Sequence, residues 1–121
     1  MNEELNTFLK SYEQANNSHI WANVEPFIAP DATYWFTEHS YKGIDEIRTA
    51  IETTFTKIQD EVYEISNATW PVATGTVAVC TYAFRWQGTV DGQQASGNGR
   101  GTNVLEKRNG SWQIVHEHLS K

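Results

Sequence analysis

Apolar residues recur at Leu5, Phe8, Leu9, Tyr12 and Ala15, steps of three and four that predict one amphipathic helix over 2–16. Asn16-Asn17 ends the stripe, and Ser18 is placed to cap the next element. That element, Ile20 to Ile28, must be short or kinked. Pro26 has no amide proton to donate and crowds the carbonyl four residues earlier unless it lies in a first turn. Pro30-Asp31 then turns the chain into a strand through Thr33-Tyr34-Trp35-Phe36. After Gly43, a stripe of Ile44, Ile47, Ile51, Phe55 and Ile58 predicts another helix, with Asp45 and Glu46 where a helix N-terminus favours negative charge. From residue 61 the helical period disappears. β-Branched and aromatic residues predict strands near 61–69, 75–89, 93–107 and 111–119.

Helices followed by antiparallel strands predict a single α+β domain over residues 1–121, with the helices against one face of the sheet. Two turns decide which side chains share a face. Asn109-Gly110 predicts a two-residue type I′ hairpin, which sets Arg108 opposite Ser111 and, along an uninterrupted ladder, Thr102 opposite Glu117 and Arg100 opposite Leu119. The tip at Val90-Asp91-Gly92 allows two loop lengths. A three-residue loop pairs Thr89 with Gln93, and so Tyr82 with Arg100; a two-residue Asp91-Gly92 loop shifts the pairing by one and flips the faces. The three-residue loop is the expectation, because it keeps Cys80, Tyr82, Phe84 and Trp86 on the buried side. Arg100, Thr102, Val104, Val115, Glu117 and Leu119 then share a face with Tyr82 and Phe84. Trp112, Ile114, His116 and His118 take the opposite face, beside Gly97, Gly99 and Gly101.

Aromatic residues make up 12% of the chain and are spread along it, more large rings than a small core needs, so some should line a cavity or an interface. A formal charge of −6 argues against a nucleic-acid backbone or an anionic membrane as partner. The lone Cys80 cannot form an intrachain disulfide, no apolar run approaches the roughly 20 residues of a membrane span, and the acidic start is unlike a signal peptide. A cytoplasmic location is the expectation.

The element order, together with Pro30-Asp31-Ala32-Thr33-Tyr34-Trp35, Tyr41-Lys42-Gly43-Ile44-Asp45-Glu46-Ile47 and Gly99-Arg100-Gly101-Thr102 through Ser120, resembles the nuclear transport factor 2-like superfamily, and most closely its SnoaL-like branch. The ending Trp112…Val115-His116-Glu117-His118-Leu119-Ser120 also resembles the association domain of calcium/calmodulin-dependent kinases. The resemblance covers essentially the whole chain. It implies a cone-shaped, cystatin-like fold with helices packed in the concave face of a curved sheet. It does not imply one activity, since the fold hosts isomerases, dehydratases, cyclases, binding modules and oligomerisation domains. Steroid isomerases of the superfamily use a carboxylate base with a tyrosine and a protonated aspartic acid. By resemblance the tyrosine position falls on Tyr12, the base on Phe36 and the protonated acid on Thr102, so two of the three groups are missing.

On the face that the resemblance makes concave, Arg100 and Glu117 would form a polar spot among Tyr12, Tyr82, Phe84, Thr102 and Phe36. Arg100 would grip an anionic or carbonyl group while Glu117 orients it or moves a proton. The alternative is a structural ion pair that closes the cup. Glu38 and His39 could overhang the mouth, which makes His39 an acid–base candidate beside Glu117 and Tyr12. His116 and His118 have metal-binding spacing but no evident third ligand, so neither metal nor cofactor is expected. Trp112, Ile114, His116 and His118 are better read as a face that a second copy covers in a homodimer. The expected partners are thus a second copy and a small hydrophobic or anionic ligand. The Gly97–Gly101 run lacks the strand-to-helix setting of a phosphate loop.

Overall fold

The computed structural model describes residues 2–121. Helix α1 (Asn2–Asn17) buries Leu5, Leu9, Tyr12 and Ala15, the stripe its spacing predicts. Helix α2 (Trp21–Val24) is a single turn that passes into a 3-10 turn, Glu25–Phe27, with Pro26 in the first turn, where its missing N–H costs nothing. Strand β1 (Ile28–Trp35) and a short β2 (Ser40–Lys42), which the sequence pattern did not reveal, lead into helix α3 (Ile44–Lys57). Four long strands complete the chain: β3 (Gln59–Ala73), β4 (Val77–Val90), β5 (Gln93–Arg108) and β6 (Ser111–Ser120). Among the described residues no helix is long and apolar enough to cross a membrane.

The six strands form one sheet in the order β2-β1-β6-β5-β4-β3, antiparallel except where β1 runs parallel to β6. Irregularities bend it into a cup. The β1–β6 register slips around Pro30, β3 slips against β4 at three places, and β6 slips against β5 at Val115. Each extra residue increases local twist and bends the strand that carries it. The helices fill the hollow, so the core joins Leu5 and Tyr12 of α1, Ile47 and Ile51 of α3, and Tyr34, Leu105, Trp112 and Ile114 of the sheet.

Helix α1 also closes the open edge of β3. Asn17 Oδ1 accepts from Tyr63 N at 2.7 Å, Asn17 Nδ2 donates to Tyr63 O at 2.8 Å, and Glu13 Oε2 accepts from Ile65 N at 2.6 Å. Two side chains one helical turn apart thereby stand in for a missing neighbouring strand.

The faces of β5 differ from the expectation. The Asp91-Gly92 tip is a two-residue loop that pairs Val90 with Gln93, both loop residues taking positive φ as a type I′ turn requires. Tyr82 therefore faces Gly101, Phe84 faces Gly99 and Trp86 faces Gly97. These glycines lie on the inner face because the rings lie across them. A Cβ on Gly97 would come within 2.5 Å of Trp86 Nε1, and one on Gly99 within 2.8 Å of Phe84 Cζ.

Candidate functional site

One buried carboxylate is held by neighbours from several elements. Glu117 of β6 is only 4% exposed. Its Oε1 accepts from the Tyr12 hydroxyl at 2.9 Å and from Asn103 Nδ2 at 3.1 Å. Asn103 is oriented in turn by the Tyr82 hydroxyl, which donates to its Oδ1 at 2.9 Å. Tyr12 has a single proton and gives it to Glu117, so the 2.8 Å bond between the Tyr12 and Tyr34 hydroxyls has Tyr34 as donor. The network has one direction: Tyr34 to Tyr12 to Glu117 from one side, and Tyr82 to Asn103 to Glu117 from the other. Both branches end on Oε1.

The second oxygen, Oε2, makes no hydrogen bond among the described residues. Trp21 Nε1 is the one fully buried side-chain polar atom there without a partner, so Oε2 is not sealed in packing; it opens onto a cavity of about 250 Å³ that Glu117 lines. The cavity walls are the rings of Phe36, Phe55, Tyr63, Phe84 and Trp86, with Tyr12 beside Glu117. Burial pushes the Glu117 carboxyl up to about 7, against the lowering effect of its bonds from Tyr12 and Asn103. Burial also raises the hydroxyls of Tyr12, Tyr34, Tyr63 and Tyr82, with the Glu117 charge adding to each, so all four remain neutral.

A second acid, Glu61, lines the same cavity and is also raised by burial. It sits at the β3 slip, where Asp60 has positive φ and two β3 residues oppose Gly88 alone. Gly88 permits this close passage, since a Cβ there would lie 2.9 Å from Gln59 O and 3.2 Å from Glu61 Cα. Beyond Phe36, Phe84 and Trp86 the cavity continues into an outer crevice that includes Glu38, His39, Lys57 and Lys121.

Of the residues expected around the polar spot, Glu117, Tyr12, Tyr82, Phe84 and Phe36 surround the cavity or its network, and His39 stands in the outer crevice. Arg100 and Thr102 do not belong to it. With the two-residue loop and the slip at Val115, Arg100 pairs with Ser120 and Thr102 with His118, all on the convex face, and Arg100 is exposed. An anion grip by Arg100 is therefore corrected, as is the Arg100–Glu117 ion pair. Asn103 takes the inward place one residue along and was missed. Its signal was the alternation Gly97, Gly99, Gly101, Asn103, which puts it on whichever face the glycines occupy.

The expected outer face of β6 also divides at Val115. Trp112 and Ile114 lie before the slip and point into the core, where Trp112 Nε1 donates to Glu4 Oε1 at 2.6 Å. They do not form an exposed interface. His116 and His118 lie after it and point outward, edge-on to the Trp35 ring at 5.0 and 5.7 Å, with His116 Nδ1 and Thr33 Oγ1 sharing a 2.7 Å hydrogen bond.

Comparison with known proteins agrees with this architecture. Residues 5–121 match the model of a family described as the SnoaL-like domain. No curated protein matches the chain at a significant level. A nuclear transport factor 2-like superfamily protein from Salmonella enterica superimposes with a TM-score of 0.89 at 20% identity, covering 98% of this chain and 88% of that one. A protein from Xanthomonas campestris described as a calcium/calmodulin dependent protein kinase II association domain gives 0.85 at 23%, covering 97% and 84%. A Caulobacter vibrioides protein with a cystatin-like fold gives 0.83 at 19%, covering 98% and 87%. At these identities the solved structures speak for the fold alone.

Proposed function

The chain belongs to the SnoaL-like domain family, and on that premise we propose that it binds a small, one-ring-sized molecule in the inner cavity, with the ligand's polar group on Glu117 Oε2. The observation that carries this reading is the asymmetry of the carboxylate: Oε1 is saturated by two donors, while Oε2 is left open to an aromatic-walled space. A structural ion pair would set a cation against the carboxylate, and among the described residues Glu117 has none. The size follows from volume. A dry cavity of about 150 Å³ is enough for benzene, so about 250 Å³ takes one substituted ring, and any larger ligand would have to extend into the outer crevice.

The test is a thermal-shift screen of one-ring compounds against the wild type and Thr54→Phe, which fills the cavity from α3. A ligand at 100 times its Kd stabilises by about 2.7 kcal/mol, a rise of roughly 10 °C for a domain of this size. The variant should show no rise with the same compound. A shift of equal size in both proteins would place the ligand elsewhere.

Two further readings each have one observation in their favour. A carboxyl near neutrality with a free oxygen suits proton transfer, as in a lyase or isomerase acting on a small carbonyl compound. By resemblance the base position of the steroid isomerases falls on Phe36, so that catalytic set is not expected here. Self-association is favoured by the convex face, where Trp35 is 50% and Val72 43% exposed on adjacent cross-strand rows with His118 and Val104. The match to the association-domain structure is consistent with assembly, and we take a homodimer as its simplest form.

A further inference from the structure

We propose that the inner cavity is a site for a small alkylamine that carries one aromatic ring, bound as its ammonium ion, an inference that rests on the ligand-binding reading and adds the charge of the ligand. Three features of the lining support it. Both ionisable acids that face the space, Glu117 and Glu61, are carboxylates, and among the described residues lining it none is Lys, Arg or His. The cations nearest the entrance, Lys57 and Lys121, line only the outer crevice. The walls carry the rings of Phe36, Phe55, Tyr63, Phe84 and Trp86, and aromatic π systems attract a cation. The third feature is the unused oxygen. Glu117 Oε2 is a charge-bearing acceptor with no donor, and an ammonium N–H supplies what it lacks.

The other groups around Glu117 do not compete for that role. Tyr12, Tyr34, Tyr63 and Tyr82 are neutral, and Asn103 is spent on Oε1. His19 sits beside Glu61, stacked on Phe55 at 5.3 Å and bonded through Nε2 to the Glu61 carbonyl at 3.0 Å, so it flanks the second acid and not the first. His116 and His118 are on the other face of β6. A cation placed at Glu117 Oε2 therefore meets no like charge among the described lining residues, and the neighbouring imidazole of His19 acts on Glu61 instead. The bound cation also favours the ionised form of Glu117, so binding near neutral pH should expel a proton from the carboxyl. That proton release distinguishes an ammonium ligand from a neutral acceptor, which would instead keep Glu117 protonated.

The experiment compares benzylamine, benzyl alcohol and benzoate by titration calorimetry on the wild type and Glu117→Gln at pH 5.5, 7 and 8.5. Benzylamine, an alkylamine somewhat less basic than a lysine side chain, stays mainly protonated over this range. It should bind the wild type about ten-fold or more tighter than benzyl alcohol at pH 8.5. That preference should shrink at pH 5.5 and fall several-fold in Glu117→Gln, where only Glu61 and the rings still favour a cation. At pH 7 the amine's apparent heat should vary with the buffer's ionisation enthalpy, as proton release requires. Benzyl alcohol or benzoate matching the amine on the wild type would overturn the ammonium assignment while leaving the cavity a ligand site. Failure of all three to bind would overturn the ligand-binding reading along with it.

Discussion

Glu117 makes the stability of the fold depend on pH, and Glu117→Gln isolates that dependence. In the unfolded chain the carboxyl titrates at its ordinary 4.5, and in the fold at about 7. The folded value is the higher, so protonation favours the fold. The stabilisation is complete below about pH 4.5 and is lost as pH rises through about 7. At 1.36 kcal/mol per pH unit the loss is about 3 kcal/mol. Other groups titrate in the same window. Glu61 acts in the same direction, while His116, lowered by burial, acts in the opposite one. The informative quantity is therefore the difference between wild type and variant, in which their contributions cancel. E117Q keeps the shape and an oxygen for Tyr12 and Asn103 but cannot ionise. Urea unfolding of both proteins at half-unit steps from pH 4.5 to 8.5 measures the difference directly. The wild type should lose about 3 kcal/mol relative to E117Q across that range, roughly 2 M in midpoint at ordinary m-values. Curves that run parallel would mean that water reaches the carboxylate freely, and the desolvated site described above would not exist.

Gly101→Ala should cost about 2–3 kcal/mol, because the new Cβ falls within 2.6 Å of the Tyr82 hydroxyl oxygen and must displace the ring from Asn103. In a Tyr82→Ala background the same change should be nearly neutral, and so should Gly75→Ala, where a Cβ meets nothing within 4 Å; a similar cost at all three would refute the steric account. On the convex face, Trp35→Asp should turn a dimer into a monomer in sedimentation experiments, and equal masses for the two proteins would remove that face as the contact.

The hydrophobic stripes of α1 and α3 and the run of β-rich segments were enough to reach the α+β cup, because each depends on local periodicity. The β2 strand was too short to carry a pattern. The site was harder to read, because facing depends on counting residues between turns, and one residue reverses it. Asp91-Gly92 alone has the composition of a type I′ turn; adding Val90 to the loop turned β5 over and moved Arg100 and Thr102 inward on paper. Nothing in Ile114-Val115-His116 announces a slip, since its cause is the curvature of the whole sheet. The two offsets offset each other at Glu117, which was expected inward and is inward. They do not at Trp112 and Ile114, which lie before the slip, or at Arg100, which lies on the strand that turned over. Asn103 shows the cost most directly: a correct reading of the glycines as room for rings would have found it.

Val115 acts on β6 as a frameshift. Upstream of it the even-numbered side chains are the interior set, and downstream the odd-numbered ones are, so a single strand supplies Ile114 to the core and Glu117 to the cavity. Removing Val115 would leave every partner across the ladder where it is and take away only the bend. Removing a residue from the uninterrupted stretch before it would exchange lining for exterior along everything between that point and the slip. Of all positions in this strand, this one can change in length without rewriting what the protein shows to a ligand.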